Sequence, residues 1–477
     1  MEILTPRIGR SSSLRLALTA LFAVMLSSPL AYATTAPTSI APVWTVFKGG
    51  PHSDVGWGVA TDDSGSSYFV GSTTVPGPLA DIFVSKVGPN GASIWNASFD
   101  GGGDDAAYQV VWRAGMLYVG GRSFVSTDHE LNMLVQAYNA STGELAWSTT
   151  WEVSPGAGYN EVDGIVLEGD DLYAAGWAAV PGHSEDLGLL KLDAPTGHVV
   201  WNSTWGTSGW DEANGDIVFD SAHVYVAGRY NSPNLLYGGR ALIASFNKSD
   251  GAYVKNATWW EGSGEADFLG MTGDSTSLYP VGISATTGDR IVLQKYDHDL
   301  KLAWSSYWEG SKSESSRMVR LTANGTGLVV AGQTSSFGNG ATDALLLGYD
   351  LGGNLRWSRT WGGIGNDQPQ GLAIAGGLAF VSGQTTSFGA GSQDAFLAKF
   401  TLPDQGSSTT STTSSIHSVT TSYGSSSTTS TGTSSSKGGV PEFSPGSYLP
   451  LLIAALVTIS YLFARAPARK RRNQTVT

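Results

Sequence analysis

There is no cysteine among the 477 residues, which excludes disulfides and thiolate metal sites. Charge is scarce, at 14%. The seven histidines (His52, His129, His183, His198, His223, His298 and His417) are scattered and never fall at H-x-x-x-H or another zinc spacing. No G-x-S-x-G elbow and no phosphate-binding loop occurs. No catalytic constellation is legible, and the sequence reads as a non-enzyme. Basic residues are outnumbered too. Trp44 to Leu402 holds 18 Lys and Arg against 37 Asp and Glu, a net charge of −19. That field repels phosphate backbones and disfavours nucleic acid. It suits basic partners, divalent cations or extracellular solubility.

Glycine and aromatics are abundant instead: 62 Gly, 16 Trp and 18 Tyr. Such a mixture favours short strands and tight turns. One phrase recurs seven times, as in "GNLRWSRTWGGIGND" (Gly353–Asp367) and "GHVVWNSTWGTSGWDE" (Gly197–Glu212). Its anchors are Trp44, Trp95, Trp147, Trp201, Lys255, Trp304 and Trp357, spaced 51, 52, 54, 54, 49 and 53 residues apart. After each anchor comes a glycine-rich turn and an acid: Asp54, Asp105, Glu161, Glu212, Glu265, Glu314 and Asp367. Five residues past the acid is an apolar position, with Gly270 as the exception. A Y-V-x-G-like phrase and a D-x-F-x-x-K-like phrase complete the unit. All are short apolar runs bounded by turns, so each unit reads as four strands.

Seven units of four strands imply a seven-bladed β-propeller over residues 42–402. The last unit lacks an outer strand and the first begins with a spare one, "PVWTVFKG" (Pro42–Gly49). The spare strand is expected to complete the last blade and close the ring. The repeated tryptophans are expected to fill the widening wedge between blades.

Apolar runs mark both ends. Arg7, Arg10 and Arg15, then "LALTALFAVML" and an A-x-A site at Ala31 and Ala33, read as a signal peptide over residues 1–33, followed by a short leader, 34–41. Residues 403–440 are a Ser/Thr-rich stalk. Residues 441–464 contain "PEF" and an uncharged apolar stretch, and residues 465–477 are basic. The positive-inside rule then puts the tail in the cytoplasm and the propeller outside, on a single-pass anchor.

The repeated phrases resemble the SBBP family of seven-bladed propellers, over about Trp44 to Leu402. The resemblance implies an extracytoplasmic propeller. "VPEFSPG" before the apolar stretch resembles the archaeal PEF-type sorting signal, which implies recognition by a sorting enzyme. "YNASTGELAW" (Tyr138–Trp147) and "LDAPTGHVVW" (Leu192–Trp201) resemble the docking repeat of quinoprotein propellers, which hold pyrroloquinoline quinone over calcium. The vicinal cysteines of those enzymes cannot exist here.

The seven acids have two readings: a cation or basic-partner ring around one mouth of the channel, or carboxylates that fix turns by accepting backbone N–H bonds. "DDSG" (Asp62–Gly65) reads as a hairpin turn or as part of a calcium loop. No cofactor is expected, and calcium has no other support. The face carrying the acid turns, the top, also carries variable loops at 75–80, 180–185 and 231–239. Trp57, Trp177, Trp210, Tyr237 and Trp260 are candidate ligand contacts there, with Trp57 and Trp210 expected in equivalent turns. Sequons at Asn96, Asn139, Asn202, Asn247, Asn256 and Asn324 fall on the rim and bottom. The leading expectation is a surface module that binds a glycan, an envelope protein or a basic partner. A quinoprotein-like or hydrolase/lyase enzyme and a structural envelope component are the alternatives.

Overall fold

The computed structural model of the chain describes residues 36–403, except 75–78, 126–129, 155–157, 232–238, 262–263 and 286–288. The signal peptide, the stalk beyond Pro403, the sorting and membrane segment, the basic tail and Tyr237 lie outside the described residues. Among the described residues no helix is long and apolar enough to cross a membrane.

Seven sheets form seven blades. Blade 1 runs from its inner strand, Asp54–Thr61, through Ser67–Thr74 and Ala80–Val87 to its outer strand, Ser93–Phe99. The inner strands of blades 2 to 7 are Ala106–Arg113, Glu161–Glu168, Glu212–Phe219, Glu265–Gly273, Glu314–Leu321 and Asp367–Ala375. Middle strands are apolar and buried through their centres because neighbouring blades cover both of their faces. Thus Val70 and Ile82 of blade 1 share a core with Val119, Leu134 and Tyr138 of blade 2. Outer strands alternate exposed and half-buried positions, as expected of a strand with one wet face.

The ring closes as expected. Trp44–Lys48 pairs antiparallel with Asp394–Thr401, from Trp44 opposite Lys399 to Lys48 opposite Ala395. One pairing was not foreseen. Thr38–Ser39 adds a parallel fifth strand to the outer edge of blade 6, and Ile40 N donates to Thr360 O at 2.9 Å.

The anchor tryptophans lock each blade to the next. The indole N–H of Trp95 donates to Ala140 O at 3.2 Å, that of Trp147 to Ala194 O at 3.0 Å and that of Trp201 to Lys248 O at 3.2 Å. Each acceptor sits in the following blade's turn between its third and outer strands. The ring also lies on a glycine of that turn. A Cβ on Gly143 would come within 2.7 Å of the Trp95 ring, and Gly143 has φ of +79°. The departure at Lys255 obeys the same logic. Its ammonium reaches Asp299 at 3.1 Å, and the glycine position is taken by Leu300 at φ +63°, because no indole needs the space.

Candidate functional site

Each inner strand breaks register once against its neighbour: at Gly56/Gly58, Ala107/Gln109, Val162/Gly164, Ala213/Ile217, Phe268/Gly270, Ser316/Met318 and Pro369/Gly371. A bulge re-aims the side chain left over. Here the extra residues include Trp57, Tyr108, Asp163, Asn214, Leu269, Arg317 and Gln370, and all seven line one cavity of about 30 Å³ in the channel. The inner strands crowd this axis. A Cβ on Gly371 would strike Trp57 O, and one on Gly164 would strike Gly215 O.

In blade 4 the break between Ala213 and Ile217 leaves one more residue on the inner strand than in the other six. Asp216 lies within that break. It accepts both guanidinium nitrogens of Arg320 in blade 6, at 2.7 and 3.0 Å, and the Gln109 amide of blade 2 at 2.5 Å. Met271 N in blade 5 also donates to it, at 3.3 Å, and the Gln109 side-chain oxygen accepts Ile165 N of blade 3. This strut ties five inner strands together across the channel.

The bulges also give a common register in which to compare the acids. Three residues before each bulge stand Asp54, Asp105, Asn160, Asp211, Ala266, Glu314 and Asp367. Asp54 accepts Gly50 N at 3.0 Å, Asp105 accepts Gly101 N at 2.6 Å and Phe124 N at 2.9 Å, and Asp367 accepts Gly363 N at 2.8 Å. Glu314 accepts the Ser336 hydroxyl. In blade 4 the same turn is held by Asp211, which accepts Asn231 N at 2.9 Å, and in blade 3 Asn160 accepts Ala179 N at 3.0 Å. The expectation of one equivalent acid per blade is therefore corrected. Glu161 and Glu212 sit one residue beyond the turn-fixing position, and Glu265 one before it. The Gly270 exception disappears as well, since the matching apolar residue is Met271, which is buried.

The three displaced glutamates join a group at the top mouth across blades 3 to 5. Glu161 pairs with Arg122 at 3.1 Å, and Glu265 pairs with Arg229. Asn214 donates to both Asp267 oxygens at 3.2 and 3.1 Å and accepts the Trp177 indole N–H at 3.0 Å. Burial, then the charge of Glu161, pushes Glu185 up to about 7. Burial, then Asp267, pushes Glu212 up to about 8. Burial pushes Asp267 up to about 6 against the pull of Arg229 and Asn214. Burial also holds Asp163 well above the usual carboxylate range, and its Oδ2 is shielded from solvent without a hydrogen-bond partner.

The aromatic candidates divide. Trp57 is not in a top turn but in the channel, edge-on to Tyr108 at 5.2 Å with the Arg317 guanidinium 5.2 Å from its ring. It lies three residues after Asp54, whereas Trp210 lies one before Asp211, so the two are not equivalent. Trp177 is half-buried at the mouth. Trp210 is 49% exposed, and its backbone bridges to Glu185. Trp260 is 45% exposed with Arg240 stacked 3.8 Å from its ring centroid. Tyr159, 40% exposed beside Asn160, was missed because it does not recur.

Asp62 serves a hairpin: its oxygens accept Ser64 N, Ser66 N and the Tyr68 hydroxyl, each at 2.9 Å. Among the described residues, Asp81, Asp100 and Asp105 are the group whose carboxylate oxygens lie within 4.8 Å of one another. Both oxygens of Asp105 are already committed to backbone N–H groups. The sequon residues Asn96, Asn202 and Asn256 are exposed on outer strands, Asn139 is exposed at the end of a third strand, Asn324 is exposed in a turn, and Asn247 is half-buried.

A family model described as "Outer membrane protein assembly factor BamB" (PQQ_2) matches residues 186–436, 251 of the 477. The chain belongs to this family. The SBBP resemblance and the PEF-type segment are not part of that match. No curated protein sequence matches. Among solved structures, the WD40 β-propeller domain of Doa1 is 12% identical with a TM-score of 0.47, covering 76% of this chain and 97% of that one. Quinohemoprotein alcohol dehydrogenase from Comamonas testosteroni is 12% identical with a TM-score of 0.41, covering 78% of each chain. Quinohemoprotein alcohol dehydrogenase ADHIIG from Pseudomonas putida HK5 is 11% identical with a TM-score of 0.43, covering 76% of each.

The raised carboxylates of this PQQ_2 propeller set the sign of its pH dependence. Their folded values lie above the unfolded ones, so the folded state binds more protons between about pH 4.5 and 8. The stability they allow is full below about pH 4.5 and falls as pH rises toward 8. Melting is expected to occur at lower temperature at pH 8.5 than at pH 5.5, by roughly 2–4 kcal/mol of stability. Glu212→Gln should flatten the profile. Melting that is flat in the wild type, or higher at pH 8.5, would contradict the burial of these groups.

Proposed function

We propose that this PQQ_2 propeller is a non-enzymatic module that holds a protein of the cell envelope against its top face. The observation that carries the reading is the contrast between channel and mouth. The channel is crossed by the Arg320–Asp216–Gln109 strut, while the mouth presents the exposed Tyr159 and Trp210 beside Glu185 and Glu212, which form no ion pair among the described residues. The family's description as an assembly factor supports a protein-binding role. A signal peptide, stalk and C-terminal anchor would place the propeller outside the cell, top outward, with glycans on rim and bottom.

Pockets for small molecules and cofactors measure roughly 300–1,000 Å³. The channel cavity is about 30 Å³, room for about two waters. The residues do not fit pyrroloquinoline quinone over a calcium ion. The experiment is to incubate purified full-length protein with quinone and calcium, desalt it and record bound chromophore and dye reduction with alcohols and sugars. No retained chromophore is expected. Stoichiometric retention with substrate-dependent dye reduction would replace the binding reading with the enzymatic one.

A further inference from the structure

We infer that the top mouth between blades 3 and 5 docks a basic, extended polypeptide segment, its cationic side chains entering beside Asp163, Glu185 and Glu212 and its backbone crossing Tyr159 and Trp210. The inference rests on the protein-binding reading above and adds the partner's chemistry.

Charge complementarity comes first. The mouth gathers six carboxylates, Glu161, Asp163, Glu185, Glu212, Glu265 and Asp267, which act on one another electrostatically. Against them stand Arg122, Arg229 and Arg317. Arg122 and Arg229 are engaged by Glu161 and Glu265. Arg317 sits over the Trp57 ring. Among the described residues Asp163, Glu185 and Glu212 make no ion pair, although the charges of Arg317 and Arg229 act on Asp163 and Glu212, and the shielded Oδ2 of Asp163 has no hydrogen-bond partner. Buried carboxylates in that condition either hold a proton or meet a cation.

The spacing of the acids suits more than one cationic group. Among the described residues no three of the mouth acids can each bring a carboxylate oxygen within 4.8 Å of the others. They are distributed over three blades, which suits several cationic groups carried on one chain.

An internal example supplies the rest. At the junction of blades 4 and 5 the Arg240 guanidinium stacks 3.8 Å from the Trp260 ring. In the turn between blades 3 and 4, at a different position, the indole of Trp210 is 49% exposed. Its segment is bridged to Glu185, and among the described residues no cation lies over it. A partner's arginine or lysine would do at Trp210 what Arg240 does at Trp260. The −19 charge between Trp44 and Leu402 would steer such a segment inward.

The test is isothermal titration of the full-length protein in detergent at pH 7.5 with a Lys-Ser-Lys-Ser-Lys peptide. Two buffers of different ionisation enthalpy count the protons exchanged. Carboxylates held protonated must release protons when they meet a cation, whereas ordinary surface acids release none at this pH. We expect binding with net proton release. Glu212→Gln should weaken binding at least tenfold and remove most of the release without lowering the melting temperature. Trp210→Ala should weaken binding about fivefold and leave the release intact. Asp350→Asn, in a bottom turn, should change neither. Binding without proton release, or equal effects of Glu212→Gln and Asp350→Asn, would overturn the inference in favour of diffuse surface attraction. Calcium or spermidine binding more tightly than the peptide would overturn it in favour of a small-cation site. No binding by the folded protein would overturn it too, and the broader reading would survive only if a partner still cross-linked at the top face.

Discussion

A chain lacking residues 36–48 should lose the cooperative melting transition of the propeller. The missing segment supplies the outer strand of blade 7 and the fifth strand of blade 6. Val46 packs into the core shared by blades 7 and 1, which also contains Phe69, Phe83, Phe380 and Leu397. Trp44 reaches across the same seam, its indole N–H donating to Pro89 O at 2.9 Å while its ring packs edge-on to Phe380 at 6.1 Å. Removing both strands breaks the link that joins the two ends of the array and bares the edge of Asp394–Thr401. The loss should be roughly 5 kcal/mol or more, comparable with the whole stability of many domains. Calorimetry of the intact and shortened chains measures it. An unchanged transition would show that the ring is held shut elsewhere.

Arg320→Met should cost about 3–5 kcal/mol, because it leaves the Asp216 carboxylate buried in the channel without its counter-ion. Asp216→Asn combined with Arg320→Met should recover much of that loss, since neither charge then remains. The interaction energy of the cycle separates a true pair from two unrelated contacts. Urea unfolding of the four proteins gives the answer. A single variant that loses less than about 1 kcal/mol would mean that water, not Arg320, satisfies Asp216.

Much of the architecture was legible because propeller packing repeats. The Trp95, Trp147 and Trp201 positions announce themselves by spacing, and their partner glycines, Gly143, Gly197 and Gly251, lie in T-G or D-G turns that recur with them. Lys255 with Leu300 shows how strict the coupling is: where the indole goes, the glycine goes too. The split unit at the two ends also predicted its own closure. Each of these features follows from local chemistry repeated in every blade.

The candidate site was less legible because it consists of departures from the repeat. The turn-fixing position stands three residues before the bulge in every blade, but in blades 3, 4 and 5 an acid lies next to it and catches the eye instead. In blade 4 two neighbouring acids, Asp211 and Glu212, made the slip invisible: either satisfies the pattern, but Asp211 holds the turn. In blade 3 Asn160 does the same work as an acid and went unnoticed beside Glu161. One signal was available. Asp216 in "NGDIVF" and Arg320 in "MVRL" are charges within inner strands whose neighbours are apolar. Opposite charges at such positions in blades 4 and 6 could have suggested a contact across the axis. Tyr159 left no trace of that kind, since a single aromatic in a turn has no period.

The claim at the centre of this account is that partners meet the top mouth and not the bottom or the rim. A photo-reactive amino acid placed at Tyr159 or at Ser141, both exposed but in a top and a bottom turn of the same region, tests it in living cells. After irradiation, the full-length protein is isolated and its adducts are identified by mass. The account predicts a discrete protein adduct from position 159 and none from position 141. Adducts from position 141 alone would contradict it.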